Sequence, residues 1–154
     1  MAMDLLPALR DLLKDLLALE LSADGLRGFL DLRYGVVPLH IDYDREAEGM
    51  RVCVRIPTPP ATGAEFLLWC LVTNGRYWDA KIAIDEEGYL LIHADMDAPP
   101  RPDLEVLHTA LSDRIDTIAE LIDDDLCEYL LQRGLGTPEQ LARWQDQGEV
   151  DSEA

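Results

Sequence analysis

The 154-residue chain carries 31 acidic and 13 basic side chains, a formal net charge of −18, and 48% of its residues are hydrophobic. That length suits one domain with its own core, and the apolar content is that of a folded protein rather than a disordered acidic chain. An acidic surface of this kind repels phosphate backbones and excludes direct nucleic-acid binding through a basic patch.

Residues 4–21 place Leu5, Leu6, Leu9, Leu12, Leu13, Leu16 and Leu17 at three- and four-residue intervals, with Pro7 where a first helical turn tolerates it. This pattern predicts an N-terminal helix whose broad stripe, led by Leu5, Leu9 and Leu13, must be buried against a sheet or a partner chain. Ser22-Ala23-Asp24-Gly25 ends it, and residues 26–34 read equally as a short helix or an edge strand. Val37, Leu39, Ile41 and Tyr43 alternate with Val36, Pro38, His40 and Asp42, and Pro38 argues for an edge or a strand start. Met50, Val52, Val54 and Ile56 alternate with Arg51, Cys53 and Arg55, completing an antiparallel hairpin with one wet face. Arg51 and Arg55 form an isolated basic spot on an acidic body.

Residues 62–74 carry two conflicting signals. Thr62-Gly63-Ala64-Glu65 matches a capping box ahead of a dense apolar run, which predicts a buried helix. Asn74-Gly75 is also a hairpin-turn signal, which leaves a strand open; the helix is favoured, with Asn74-Gly75 as its stop. A second hairpin follows, with Ala80, Ile82 and Ile84 leading through Asp85-Glu86-Glu87-Gly88 into residues 89–94. A long helix over 103–132 has Leu104, Leu107, Leu111, Ile115, Ile118, Ile122, Leu126 and Leu130 as its stripe, and Gly134 and Gly136 stop it. Thr137-Pro138-Glu139-Gln140 is another capping box, opening a short helix with Leu141 and Trp144 before a frayed acidic tail.

No reaction is named by these residues. His40, His93 and His108 lie in different elements without metal-ligand spacing. Asp123-Asp124-Asp125 points its carboxylates about 100° apart on a helix, a solvated face rather than a chelate. Cys53, Cys70 and Cys127 are an odd number at wide spacing, so reduced thiols in a cytoplasmic protein are expected, with apolar or acidic neighbours that raise their pKa. No secretory leader or membrane-length apolar run stands out, and no catalytic residue, metal or cofactor is expected. The 11 arginines and 2 lysines match the bias of GC-rich bacterial genomes. Trp78 and Trp144 are candidate interface anchors, tryptophan being over-represented among binding hot spots.

The helix ending in Asn74, the segment AKIAIDEEGYLLIHADM, a proline-marked break and the long helix together resemble the YbjN-like family, which shares the type III secretion chaperone fold. The resemblance spans about residues 4–130 and implies an α+β domain: an N-terminal helix, a middle helix and a long third helix on an antiparallel sheet of about five strands, here with an extra short C-terminal helix. The fold expects three strands before the second helix; two are placed. Residues 1–134 form the chaperone-like domain and 135–154 the added helix and tail. The resemblance implies a homodimeric, non-enzymatic module that binds a segment of a protein client, without direct nucleic-acid or membrane contact. The acidic surface favours a basic client, itself a nucleic-acid-binding protein in the simplest case. Interface candidates are Leu5, Leu9, Leu13, Arg51, Arg55, Trp78, Leu141 and Trp144. Two other classes stay open: an acidic mimic occupying another protein's DNA site, and an enzyme or small-ligand binder using His93, Asp95 and Asp97.

Overall fold

The computed structural model describes residues 5–23, 25–56, 63–99 and 101–153. Among these residues six strands, β1 (Glu20–Leu21), β2 (Gly25–Leu32), β3 (Gly35–Asp44), β4 (Gly49–Ile56), β5 (Lys81–Ile84) and β6 (Leu90–Asp97), form one antiparallel sheet in the order β1-β2-β3-β4-β6-β5. Its inner face, where Leu39, Ile41, Val52, Val54 and Ile92 are fully buried, is covered by helices.

The N-terminal helix α1 (Leu5–Leu13) buries Leu5, Leu9 and Leu13, as its stripe requires. It is shorter than the 4–21 expected. The Leu16 and Leu17 amides both bond to the Leu13 carbonyl at 2.9 Å, which closes the helix, and β1 (Glu20–Leu21) follows. The ambiguous stretch is a strand, β2 (Gly25–Leu32): Leu26, Leu30 and Leu32 point into the core while Arg27, Phe29 and Asp31 are exposed. Glycine at 25 and 28 hides this period of two in the sequence. At Gly28, a Cβ would stand 2.9 Å from the Ala18 carbonyl oxygen, so glycine lets the α1–β1 connection cross close over β2. β2 brings the sheet to the five strands expected, and the two-residue β1 makes a sixth.

Strands β3 (Gly35–Asp44) and β4 (Gly49–Ile56) follow the predicted alternation. β3 is an interior strand rather than an edge. Pro38, which has no N–H to donate, lies one residue before pairing with β4 begins at Leu39↔Val54.

The conflict at 62–74 resolves to a helix, α2 (Ala64–Arg76). Gly63 is its N-cap without a side-chain bond, and Glu65 bonds to Arg133 at 2.8 Å instead of turning back on the cap. Thr62, the other half of the expected box, lies outside the described residues. Nor do Asn74 and Gly75 stop α2, which includes both.

Strands β5 (Lys81–Ile84) and β6 (Leu90–Asp97) form the second hairpin, whose turn is tied by the Asp85 carboxylate accepting from the Glu87 and Tyr89 amides. The long helix is α3 (Leu104–Glu120), capped by Asp103, then a π-helical stretch Leu121–Leu126 and α4 (Cys127–Gln132). The π stretch changes the facing residues. Leu121 and Ile122 are both fully buried, and Asp123 accepts from the Tyr34 amide at 3.2 Å instead of facing only solvent.

Helix α5 (Pro138–Glu153) opens on the expected reciprocal box: the Gln140 amide donates to Thr137 Oγ1 at 3.1 Å and the Thr137 amide to Gln140 Oε1 at 3.0 Å. It runs through the segment expected to be a frayed tail. α5 packs on its own chain. Trp144 is fully buried, stacks on Tyr34 with ring centroids 6.0 Å apart, and donates Nε1–H to the Arg33 carbonyl at 2.9 Å. Arg143 Nη2 donates to the Leu32 carbonyl at 2.6 Å and Arg33 Nη2 to the Trp144 carbonyl at 2.5 Å. The β2–β3 turn is thereby clamped by the C-terminal helix.

Candidate protein-binding surfaces

The two edges of the sheet are the informative places. At one, β1 pairs with β2 only at Glu20↔Arg27 and Leu21↔Leu26, so β2 from Gly28 to Leu32 has no strand on its outer side among the described residues. A strand edge presents alternate N–H and C=O groups ready to pair with another extended chain. Beside it lies a mainly apolar cleft of about 390 Å³ lined by Leu16, Leu17, Phe29, Leu30 and Ile115, with Asp31 and Asp116 also in its wall. Phe29 is 68% exposed and Leu16 56% exposed. Ser112 also lines this cleft, and its buried hydroxyl has no hydrogen-bond partner among the described residues.

The opposite edge, β5, is closed. The Asn74 carboxamide makes two bonds to one residue of β5: it accepts from the Ile82 amide at 2.6 Å and donates to the Ile82 carbonyl at 3.0 Å. Lys81 Nζ donates to the carbonyls of Asn74 and Tyr77 at 2.7 and 2.6 Å. What this side offers instead is side chains. α2 buries only Phe66, Cys70 and Thr73, and packs through Phe66 and Trp69 on Tyr129 of α4 at 5.7 and 4.9 Å. Its outer face exposes Leu67, Leu68, Leu71 and Val72, and just beyond it Trp78 is 95% exposed. The expected buried helix is therefore half uncovered.

The outer face of the sheet is polar and internally paired. One row runs across five strands as Arg27, His40, Cys53, His93 and Lys81. Cys53 separates the two histidines, and no group among the described residues is arranged to hold a metal ion. Burial pushes the Cys53 thiol up to about 11, Cys70 to about 11 and Cys127 to about 12, so none is an activated nucleophile. Desolvation lowers the His93 pKa, with Arg51 adding to the effect, and its Nδ1 stands 3.7 Å from Asp95, beyond hydrogen-bond range.

A cleft of about 730 Å³ at the end of β3, β4 and β6 is lined by Asp42, Asp44, Asp95, Asp97 and Arg51. Arg51 grips Asp95 through two bonds, at 2.7 and 3.1 Å, and holds the Asp95 carboxyl below its ordinary pKa. Arg55 bonds to Asp85 at 3.1 Å and Glu87 at 2.6 Å and lies over the Tyr89 ring. The expected basic spot at Arg51 and Arg55 is thus neutralised by carboxylates from β6 and the β5–β6 turn, residues far away in sequence.

The interface candidates separate into four groups, of which Arg51 and Arg55, held in ion pairs, are one. Leu5, Leu9, Leu13 and Trp144 are buried inside the subunit, which corrects the expectation that they meet a partner. Leu141 is partly buried against the same core. Trp78 is open. Phe29 and the α2 residues Leu67, Leu68, Leu71 and Val72 were missed. The available signal for α2 was its apolar residues on all sides, more than one buried stripe needs.

Comparisons with known proteins agree on architecture. No family profile matches the chain, and no curated protein matches by sequence. Solved structures do match. The chain superposes on YbjN from E. coli with a TM-score of 0.60 at 15% identity, covering 76% of this chain and 87% of that one. It has a YbjN-like, type III secretion chaperone-like fold. The ExsC–ExsE complex matches with a TM-score of 0.56 at 16% identity over 79% of this chain and 92% of that one. The HopA1–SchA chaperone–effector complex matches at 0.50 and 12% identity, over 75% and 93%. β2, β3 and β4 are the three full strands that the resemblance implies before the second helix, and the two-residue β1 is additional. No helix among the described residues is long and apolar enough to cross a membrane.

Proposed function

We propose that the chain is a non-enzymatic, chaperone-like protein-binding module, homodimeric and cytoplasmic, that receives an extended segment of a client along the outer edge of β2. The observation that carries this reading is the pairing of that unoccupied edge with an apolar cleft beside it. Main-chain bonds to Phe29 and Asp31 supply affinity without regard to sequence, and the cleft selects alternate apolar side chains of the added strand. Two of the structural neighbours are complexes of one protein with another, ExsC with ExsE and SchA with HopA1, which supports a protein as the ligand.

The formal charge of −18 adds selectivity for a basic client. Complementary charge speeds encounter and is screened beyond about 10 Å at 0.1 M salt. Binding therefore weakens as ionic strength rises from roughly 50 to 500 mM.

The test uses a client recovered with the wild-type chain and then purified. Asp31→Pro on the open edge and Phe29→Asp in the cleft each weaken its binding at least tenfold, while the circular dichroism spectrum is unchanged. Unchanged affinity in both variants contradicts strand addition at β2. Affinity insensitive to salt contradicts the electrostatic part alone. Displacement of the client by duplex DNA favours the nucleic-acid mimic instead.

A further inference from the structure

We propose that the cleft beside β2 takes a basic side chain of the client, a lysine or an arginine, with its methylene stem on the apolar wall and its charged head at Ser112, Asp31 and Asp116. This inference rests on the strand-addition reading above and names what the added strand carries at one position.

Register sets that position. The Ser22 amide donates to the Gly25 carbonyl, so Gly25 turns its main-chain groups away from β3. Alternation along the strand turns those of Phe29 and Asp31 the same way, while those of Leu30 face β3. A strand added outside β2 therefore bonds to Phe29 and Asp31. Its residue opposite Leu30 sends a side chain to the sheet face that Leu30 occupies, where the cleft lies against Ile115 of α3.

That wall holds three groups without a partner. Ser112 Oγ is buried and has no hydrogen bond among the described residues, although most buried hydroxyls have one. Asp31 and Asp116 enter no ion pair among the described residues, whereas Asp95 is held by Arg51, and Asp85 and Glu87 by Arg55. The chain brings no cation to either. Asp31 stands opposite Val36 of β3, and the helical neighbours of Asp116 are Ser112, Asp113, Ala119 and Glu120.

One side chain answers all three. Ser112 and Asp116 lie one turn apart on α3, and Ile115 and Ala119 form the ridge beside them. A lysine or arginine packs its stem on the apolar ridge and turns its N–H groups to the polar one, as long basic side chains do at mixed surfaces. A purely apolar side chain leaves the Ser112 hydroxyl unbonded, and an acidic one meets two like charges. Charge points to the same occupant: Asp113 and Glu120 add to the negative field along α3, and apolar walls concentrate such a field. The net charge of −18 thereby acts at a defined place as well as over the whole surface.

The probes are acetylated, amidated heptapeptides of alternating threonine and valine with lysine, arginine, norleucine or glutamate at the centre, titrated calorimetrically into the full chain. The lysine and arginine peptides bind at least about tenfold tighter than the norleucine peptide, which keeps the stem and lacks the charge, and glutamate binds weakest. Asp116→Asn, at an exposed position, lowers the lysine-to-norleucine ratio to about threefold or less. Glu139→Gln on α5 makes the same change in net charge and leaves the ratio at its wild-type value. Ser112→Ala weakens the lysine peptide and not the norleucine one, with an unchanged circular dichroism spectrum. Equal affinity for lysine and norleucine, or a ratio that Asp116→Asn leaves intact, overturns the basic site. Hydrogen exchange separates that failure from failure of the reading beneath it. Phe29 and Asp31 amides slowed alike by every peptide leave strand addition standing, and no slowing by any of them overturns both.

Discussion

At the β5 edge the Asn74 side chain occupies the Ile82 backbone groups that another strand would use, while Lys81 ties the strand to the carbonyls of Asn74 and Tyr77. At the β2 edge, pairing with β1 stops at Arg27 and an apolar cleft begins. Both places expose large hydrophobic side chains, yet they can serve only different partners. An open edge accepts backbone and therefore an extended segment; a closed edge with an apolar helix beside it offers only side chains. Separation by the full width of the sheet lets both be occupied at once. Exposed apolar area alone would not have distinguished them; where the main-chain hydrogen bonds go does.

The largest effect that sharpens this contrast concerns the two tryptophans. Trp144 is fully buried and clamps the turn that ends β2, whereas Trp78 beside α2 is 95% exposed. Trp144→Ala lowers unfolding free energy by about 3–5 kcal/mol. Trp78→Ala changes it by less than ~0.5 kcal/mol. Urea denaturation measures both, and equal losses would erase the distinction.

Asn74→Ala strikes at the closure itself. It leaves the Ile82 amide and carbonyl without their side-chain partner, and we expect a loss of about 1–3 kcal/mol. The β5 edge also becomes available, so self-association rises with concentration above that of the wild type. A variant as stable as the wild type and with its mass in solution would show that Asn74 is not what closes that edge.

The smallest effect comes from the outer face. The Arg51–Asp95 pair is more than half exposed, at 53% and 56%, so Asp95→Asn costs at most about 1 kcal/mol at neutral pH. Arg51 depresses the folded-state pKa of Asp95. Its contribution is therefore complete above the unfolded carboxylate value of about 3.9 and disappears as pH falls through the lower folded value. Unfolding curves of wild type and Asp95→Asn converge at that acid end. A difference that grows on acidification would reverse the sign and contradict the assignment.

Much of the fold was legible because its signals are local. The alternations in β3 and β4, the stripe from Leu107 to Leu130 and the Thr137–Gln140 box each depend on neighbours in sequence. β2 was not legible, because Gly25 and Gly28 interrupt its apolar period and the chain crossing at Ala18 is what makes glycine necessary there. Arg51 and Arg55 read as free cations because Asp95, Asp85 and Glu87 reach them only through the register of β4 with β6. α2 read as buried because its apolar density matches a core helix. Nothing local says that the chain leaves half of it uncovered. The same limit applies to Leu5, Leu9, Leu13 and Trp144, whose composition fits an interface as well as a core.

Backbone hydrogen exchange of the β2 and β5 amides, with and without bound client, tests the division of labour most directly. The account predicts that Phe29 and Asp31 exchange more slowly when client is bound, while Lys81–Ile84 are unchanged. Protection that appears along β5, or none along β2, would contradict it.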